Sequence, residues 1–235
     1  MKKGILIQAR MSSRRFPGKM LRFLGGTALI SFVYKRCQRS EKADVVAVIT
    51  STHQSDDYLY IHCEKENIPV WRGSLNNVLN RYIESANFFD LGVICRVCGD
   101  SPLVDTEIID EMLQVREEER LDYVTLNKDN CLAGLDSEVF TIDALKRLID
   151  NHLSEEELEH VTLGIKNNTP SFKTKFINKD LRPFALKDVS LTVDSPKDLL
   201  LCNEIVKFLG RDNYKFSSSD ILKILLENKP VLNLI

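Results

Sequence analysis

Four cations crowd a short stretch near the amino terminus: Arg10, Arg14, Arg15 and Lys19, interleaved with Ser12, Ser13, Pro17 and Gly18. Guanidinium forks grip oxyanions bidentately and a lysine adds a point charge, so this set suits a phosphate chain. Residues 1–40 hold ten Lys or Arg and no Asp or Glu, while the whole chain has formal charge −2. The positive field is therefore local and fits a polyanionic ligand. The plainer reading is a solvated basic edge. Far along the chain, two carboxylates recur in one arrangement. Asp100 precedes Ser101-Pro102 and Asp194 precedes Ser195-Pro196, each just past an apolar run. A hard oxygen donor at a strand tip can hold Mg²⁺. Asp100 equally fits a plain turn, and Asp194 equally fits a cap on a helix starting at Pro196.

The elements that must position these groups alternate between strand and helix. Residues 4–9 form a short apolar run bounded by a glycine, too short for a helix, and predict a buried strand. The cationic loop follows it directly, and an apolar-periodic helix spans about 27–39. A strand feeding such a loop and then a helix is a common phosphate-holding arrangement in α/β proteins. It is neither a Walker A loop nor a dinucleotide fingerprint, since the required glycine spacings are absent. Further strands are predicted at 44–50, 68–71, 91–97, 121–126 and 189–193. Helices are predicted from Asp56-Asp57 to about 66, after Ser74 or Asn76 as cap, and over 105–120, 196–209 and 217–228. Runs such as Val45-Val46-Ala47-Val48-Ile49 are apolar throughout, as in a parallel sheet covered on both faces. Ligands of such sheets lie beyond the carboxyl ends of the strands, which places Thr50 and Ser51 to meet a base or ribose. The alternative for both is a simple polar turn.

The chain has 235 residues, 43% hydrophobic and 28% charged, enough for a sizeable core in one domain over 1–235. The amino-terminal apolar run is too short for a signal peptide and no stretch could span a bilayer, which implies a cytoplasmic protein with no membrane partner. Six cysteines fit as reduced, buried residues. Cys95 and Cys98 lie in a predicted strand, where residues three apart face opposite ways and cannot share a metal. No Ser-His-Asp set, nucleophilic cysteine or zinc cluster stands out. Confinement of the basic residues to one segment argues against a nucleic-acid partner.

Five stretches resemble one family, in its order. They are Ala9-Arg10 to Lys19; Arg72-Gly73-Ser74 to Tyr82; Arg96 to Leu103; Gly134-Leu135-Asp136-Ser137-Glu138-Val139-Phe140 with Glu159-His160-Val161-Thr162; and Asp194 to Leu199. Together they resemble the cytidylyltransferases that activate acidic sugars, such as the CMP-Kdo and CMP-sialic acid synthetases. The branch is the one usually called spore coat polysaccharide biosynthesis protein F, with the pseudaminic acid cytidylyltransferases. The resemblance implies a Rossmann-like nucleotide-diphospho-sugar transferase fold, mostly parallel, with an inserted dimerisation and sugar-binding arm at about 127–186, and a homodimer. It implies attack of a sugar-acid hydroxyl on the α-phosphorus of CTP, with Mg²⁺ as cofactor and pyrophosphate released. The residues it implies for the nucleotide are Gln8, Ala9, Arg10, Ser13, Arg15, Lys19, Thr50, Ser51, Arg72, Gly73 and Ser74. Those for the sugar are Asp136, Glu138, Glu159 and His160; those for the metal are Asp100 and Asp194. The resemblance implies that Arg10, Lys19 and Asp100 carry the catalysis. His160 is otherwise an ordinary helix histidine. The chain departs from the branch pattern at Arg14, Phe16, Asn77, Leu158 and Leu163-Gly164. Two other readings are a glycosyltransferase of related fold, which would normally carry an Asp-x-Asp motif absent here, and a non-catalytic nucleotide-sugar binding protein.

Overall fold

The computed structural model describes residues 1–149 and 153–228. Its strands are β1 (Lys3–Gln8), β2 (Phe23–Leu24), β3 (Thr27–Ala28), β4 (Val45–Ser51), β5 (Val70–Gly73), β6 (Val93–Cys98), β7 (Tyr123–Leu126), β8 (Glu138–Thr141) and β9 (Thr174–Ile177). Its helices are α1 (Leu29–Cys37), α2 (Asp57–Lys65), α3 (Val78–Phe88), α4 (Thr106–Glu119), α5 (Ile142–Ile149), α6 (Glu155–Glu159), α7 (Leu163–Asn167), α8 (Pro196–Leu209) and α9 (Ser218–Glu227). Among the described residues, seven strands form one sheet in the order β5-β4-β1-β6-β8-β7-β9, and β2 with β3 form a small ribbon. Only β8 runs against its neighbours β6 and β7.

The strands are apolar on both faces because the sheet has a core on each side. Ile5 and Ile7 join one core, lined by α1, α4, α8 and α9, while Leu6 joins the other, lined by α3 and α5. Period-two alternation thus feeds two helical layers at once. Gln8 pairs with Ile49 on one side and Cys98 on the other, so β1 and β6 end level and β4 runs on to Ser51. Their tips form one rim, on which the loops sit.

Two expectations change. Residues 189–193 form no strand of the sheet. Ser190 makes a single bridge with Ala133, and the Leu191 and Val193 amides donate to the Ala133 and Asp100 carbonyls, each at 2.8 Å. The segment's backbone bonds are thus given to loops at the strand tips. The expected arm at 127–186 also supplies β8 and β9 to the central sheet, and α5 to its second core. All four residues of β8 are buried, which is what a strand between two others requires. Residues 150–152 of that segment lie outside the described residues.

Candidate active site

A cleft of about 770 Å³ opens over the rim. Its floor is Gln8 and Ala9 at the end of β1, and the cationic loop closes one wall. The loop folds back on itself, with the Ser13 and Gly18 amides both donating to the Met11 carbonyl at 3.0 Å. Phe16 is buried and anchors the loop in the core, and Ser13 Oγ accepts from the Phe16 amide. Gly18 adopts φ 71°, which a side chain disfavours, and starts the short 3₁₀ turn carrying Lys19 inward.

Lys19 is the centre of the site. Its ammonium, on a residue only 5% exposed, donates to Asp100 Oδ2 at 2.7 Å and to Asp194 Oδ1 at 3.0 Å. Arg15 meets the other oxygen of Asp194 at 2.8 Å. The two carboxylates lie 94 residues apart in sequence, from position 100 to position 194. The hydrogen bond from the Val193 amide to the Asp100 carbonyl brings them together. Asp194 is not the helix cap. Ser195 caps α8 in a capping box with Asp198, whose carboxylate also accepts from the Asp194 amide, and this leaves the Asp194 side chain free to face the cleft. On the β6 side, Gly99 passes close to β1: a Cβ there would lie 3.0 Å from both Ala9 Cβ and Met20 Sδ.

Across the cleft, Glu159 approaches Arg10 at 3.7 Å, and His160 caps the carboxyl end of α6. A second compartment of about 460 Å³ shares Arg96, Cys98, Asp100 and His160 with the first and adds Lys128, Asp136 and Lys166. Asp136 pairs there with Lys128 at 3.3 Å. Cys95 lies in the core while Cys98 borders the cleft; burial pushes the Cys98 thiol up to about 11, against the pull of Arg96, so it stays protonated. Six cations and four carboxylates line the main cleft, leaving it positive.

The structure thus gathers Gln8, Ala9, Arg10, Ser13, Arg15, Lys19, Asp100, Glu159, His160 and Asp194 around one cleft, with Asp136 in the adjoining compartment. Others are placed elsewhere. Thr50 and Ser51 are fully buried, and the Ser51 hydroxyl donates to Asp56. Arg72 turns away to the Ser51 and His53 carbonyls and to Asp57, at 2.7 Å from the last. Ser74 Oγ accepts from the Asn77 amide, and Asn77, rather than Ser74 or Asn76, caps α3. Gly73 lets α3 approach, since a Cβ there would meet Arg81 Cγ at 3.0 Å.

Glu138 borders the second compartment, but its oxygens are already engaged. It accepts from Arg96 at 2.8 Å, Tyr123 at 2.7 Å, Thr162 at 2.9 Å and Lys166 at 2.5 Å. It is a buried hub: Oε1 takes the bonds from Tyr123, Thr162 and Lys166, and Oε2 takes the one from Arg96. Arg96 and Glu138 are directly opposed in the antiparallel β6–β8 register. Burial alone would raise the Glu138 carboxyl; the charges of Arg96 and Lys166, with hydrogen bonds from Lys166 and Tyr123, outweigh it and hold the group at about 2.

Sequence reasoning missed Asp56. It is fully buried, and its carboxylate accepts from the Met11 amide at 2.7 Å and from the Ser51 amide and hydroxyl. It therefore ties the cationic loop to the tip of β4. In the sequence it is one of two adjacent aspartates before a helix, which signals only a helix start.

A cationic loop facing two carboxylates beyond the tips of parallel strands is an arrangement that suits nucleotidyl transfer. The family model described as Cytidylyltransferase matches residues 4–215. The chain belongs to the cytidylyltransferase family. This cytidylyltransferase is 32% identical over 228 residues to the spore coat polysaccharide biosynthesis protein SpsF of Bacillus subtilis, covering 95% of this chain and 93% of that one. A cytidylyltransferase structure from Leptospira borgpetersenii superposes with a TM-score of 0.89 at 29% identity, over 98% of this chain and 96% of that one. A CMP-2-keto-3-deoxy-manno-octonic acid synthetase solved with CTP shares the fold, with a TM-score of 0.67 at 16% identity, over 88% and 99% of the two chains.

Proposed function

We propose that this cytidylyltransferase activates an acidic sugar, of the nonulosonic or octulosonic type, as its CMP derivative from CTP for surface polysaccharide or glycan synthesis. The observation that carries the proposal is the meeting of two compartments at Asp100: a cleft of triphosphate size lined by cations, and a second chamber bordered by Arg96, Lys128, Lys166 and His160. An anionic sugar beside an anionic nucleotide needs cations in both chambers. The names of the Bacillus relative and of the octonic acid synthetase point the same way.

In this reading the sugar hydroxyl oxygen forms a bond to the α-phosphorus while the bond to the bridging β-phosphate oxygen breaks. Pyrophosphate leaves and the hydroxyl proton is lost. Arg10, Arg15 and Lys19 bind and neutralise the phosphates, including the leaving pyrophosphate. Asp100 and Asp194 fit Mg²⁺: both are hard oxygen donors, and the Lys19 ammonium already lies between them as a cationic charge. Among the described residues no three His, Cys, Asp or Glu are placed to share an ion, so these two carboxylates would hold it together with nucleotide oxygens and water. When bound, the ion supplies charge neutralisation at the phosphates and acidity to the sugar hydroxyl. Asp136, Glu159 and His160 border the sugar.

The departures at Asn77 and Leu158 favour no inactive reading. Asn77 caps α3 and Leu158 packs on the second core. A homodimer belongs to the same proposal. Its support is the open edge of β9, where Phe176 is 50% exposed. No helix among the described residues is long and apolar enough to cross a membrane. The test is incubation with each nucleoside triphosphate, Mg²⁺ and a panel of sugar acids, following pyrophosphate. Release is expected only with CTP and a sugar acid together; release with a neutral sugar alone would overturn the substrate class.

A further inference from the structure

Two arginines of this protein are almost completely buried, and they are satisfied very differently. Arg36 is 1% exposed and spends its guanidinium on three carbonyls: Val104 at 2.9 Å, Tyr214 at 2.7 Å and Phe216. Arg81 is 2% exposed, and neither its Nε nor its Nη1 has a partner among the described residues. Asp56 and Arg10 are the charges of side chains other than its neighbour Tyr82 that bear on it. Arg10 repels it, and the Asp56 oxygens are already engaged by Met11 and Ser51. A buried guanidinium left without acceptors is strongly unfavourable, so such a group calls for a ligand. Arg81 also lines the main cleft.

Its position narrows what that ligand offers. Arg81 stands on α3, and its stem packs on Gly73 at the end of β5. It shares that wall of the cleft with Leu75, Asn76 and Val78. Lys19, Asp100 and Asp194 stand on the other side of β1, toward β6. A nucleotide whose phosphates lie at Lys19 extends its base toward the β5 wall. The apolar members of that wall suit the face of a ring, and a guanidinium suits its edge. Guanidinium is donor-only, with parallel N–H groups in one plane, and matches two adjacent acceptors. Cytosine presents two, O2 and N3. Uracil presents O2 beside an N3–H, which opposes a donor.

We propose that Arg81 reads the nucleobase, its donor fork engaging O2 and N3 of cytosine and rejecting uracil. The proposal rests on the reading that this cleft holds a nucleoside triphosphate. It assigns base selection to Arg81 rather than to Arg72, whose side chain is committed to Asp57 and two carbonyls. Gly73 is then explained as well, since any larger residue would push against the Arg81 stem. Guanine also offers adjacent acceptors, N7 and O6, so GTP belongs in the test.

The experiment is equilibrium binding of CTP, UTP, GTP and inorganic triphosphate to wild type, Arg81→Met and Arg81→Lys, each checked by thermal unfolding. Arg81→Met keeps the length and removes an unpartnered charge, so its unfolding temperature is expected not to fall. The wild type is expected to prefer CTP over UTP by about 100-fold or more, because a site built on hydrogen bonds rejects a mismatched partner. That ratio should fall to within about 5-fold in both variants, with inorganic triphosphate bound as before. An unchanged CTP-to-UTP ratio in either folded variant overturns the proposal. So does weakened inorganic triphosphate with the ratio intact, which would make Arg81 a phosphate ligand. Preference for GTP in the wild type overturns it too. Failure of the wild type to bind any of the four probes would instead overturn the nucleotide reading beneath it.

Discussion

Lys19 shows how much one side chain can decide. A lysine this buried is sustained by two carboxylates, and removing it leaves Asp100 without its ion pair while Asp194 keeps Arg15. Lys19→Ala or Asp100→Ala is expected to lower turnover at least ~100-fold, the usual cost of losing a preorganised charge at a transferring phosphoryl group. Pyrophosphate release by purified protein with native circular dichroism checks this; near-normal turnover removes that residue from the mechanism. Glu138 makes a different prediction. Its folded carboxyl is held at about 2 against an ordinary 4.5, so its contribution to stability is full above about 4.5 and is lost as pH falls toward 2. Glu138→Gln strands Arg96 and Lys166 and should cost about 3–5 kcal/mol at pH 7. The gap from wild type should narrow as acid takes the wild-type contribution away. Urea unfolding of both proteins from pH 7 to 3 measures it, and a constant gap would contradict the charged-hub assignment.

At the scale of elements, the site depends on how segments are tied rather than on which helices form. The cationic loop is held to β4 by Asp56, so Asp56→Ala should loosen it. We expect a loss of about 2–4 kcal/mol, from several buried hydrogen bonds to a charged group, and a raised KM for CTP. An unaltered KM would show that the loop holds its shape without this anchor. The cap of α8 is the second tie. Ser195→Ala should cost about 1 kcal/mol, by urea unfolding, and it frees Asp198, which also fixes the Asp194 amide. Gly134 is the third: at φ 94°, with the Leu191 carbonyl carbon 2.6 Å from where a Cβ would stand, it leaves no room for a side chain.

At the scale of the molecule, the sheet decides where everything meets. With β1 between β4 and β6, the tips carrying the loop, Ser51 and Asp100 lie side by side, and the returning segment at 189–193 lays Asp194 across them. The open edge at β9 bears on assembly. Phe176→Glu is expected to shift a dimer toward monomer by light scattering, with the monomer still folded. A wild type that is monomeric throughout removes the dimer from the proposed function.

The sequence alone determined whatever is written locally. Apolar runs fix strands because each residue must be covered on one face or the other. Thus β1, β4 and β6, the loop of Arg10 to Lys19, and Asp100 and Asp194 at segment ends were all legible from neighbouring residues. The tertiary structure alone decided which polar groups face the cleft. Arg72 and Arg81 occupy one motif and look equally suited to a ligand, yet Arg72 finds Asp57 and Arg81 finds nothing. Asp56, Glu138 and Arg81 differ from ordinary surface charges only by burial and partners. Those partners come from strands and loops far apart in the chain, so no local pattern could have revealed them.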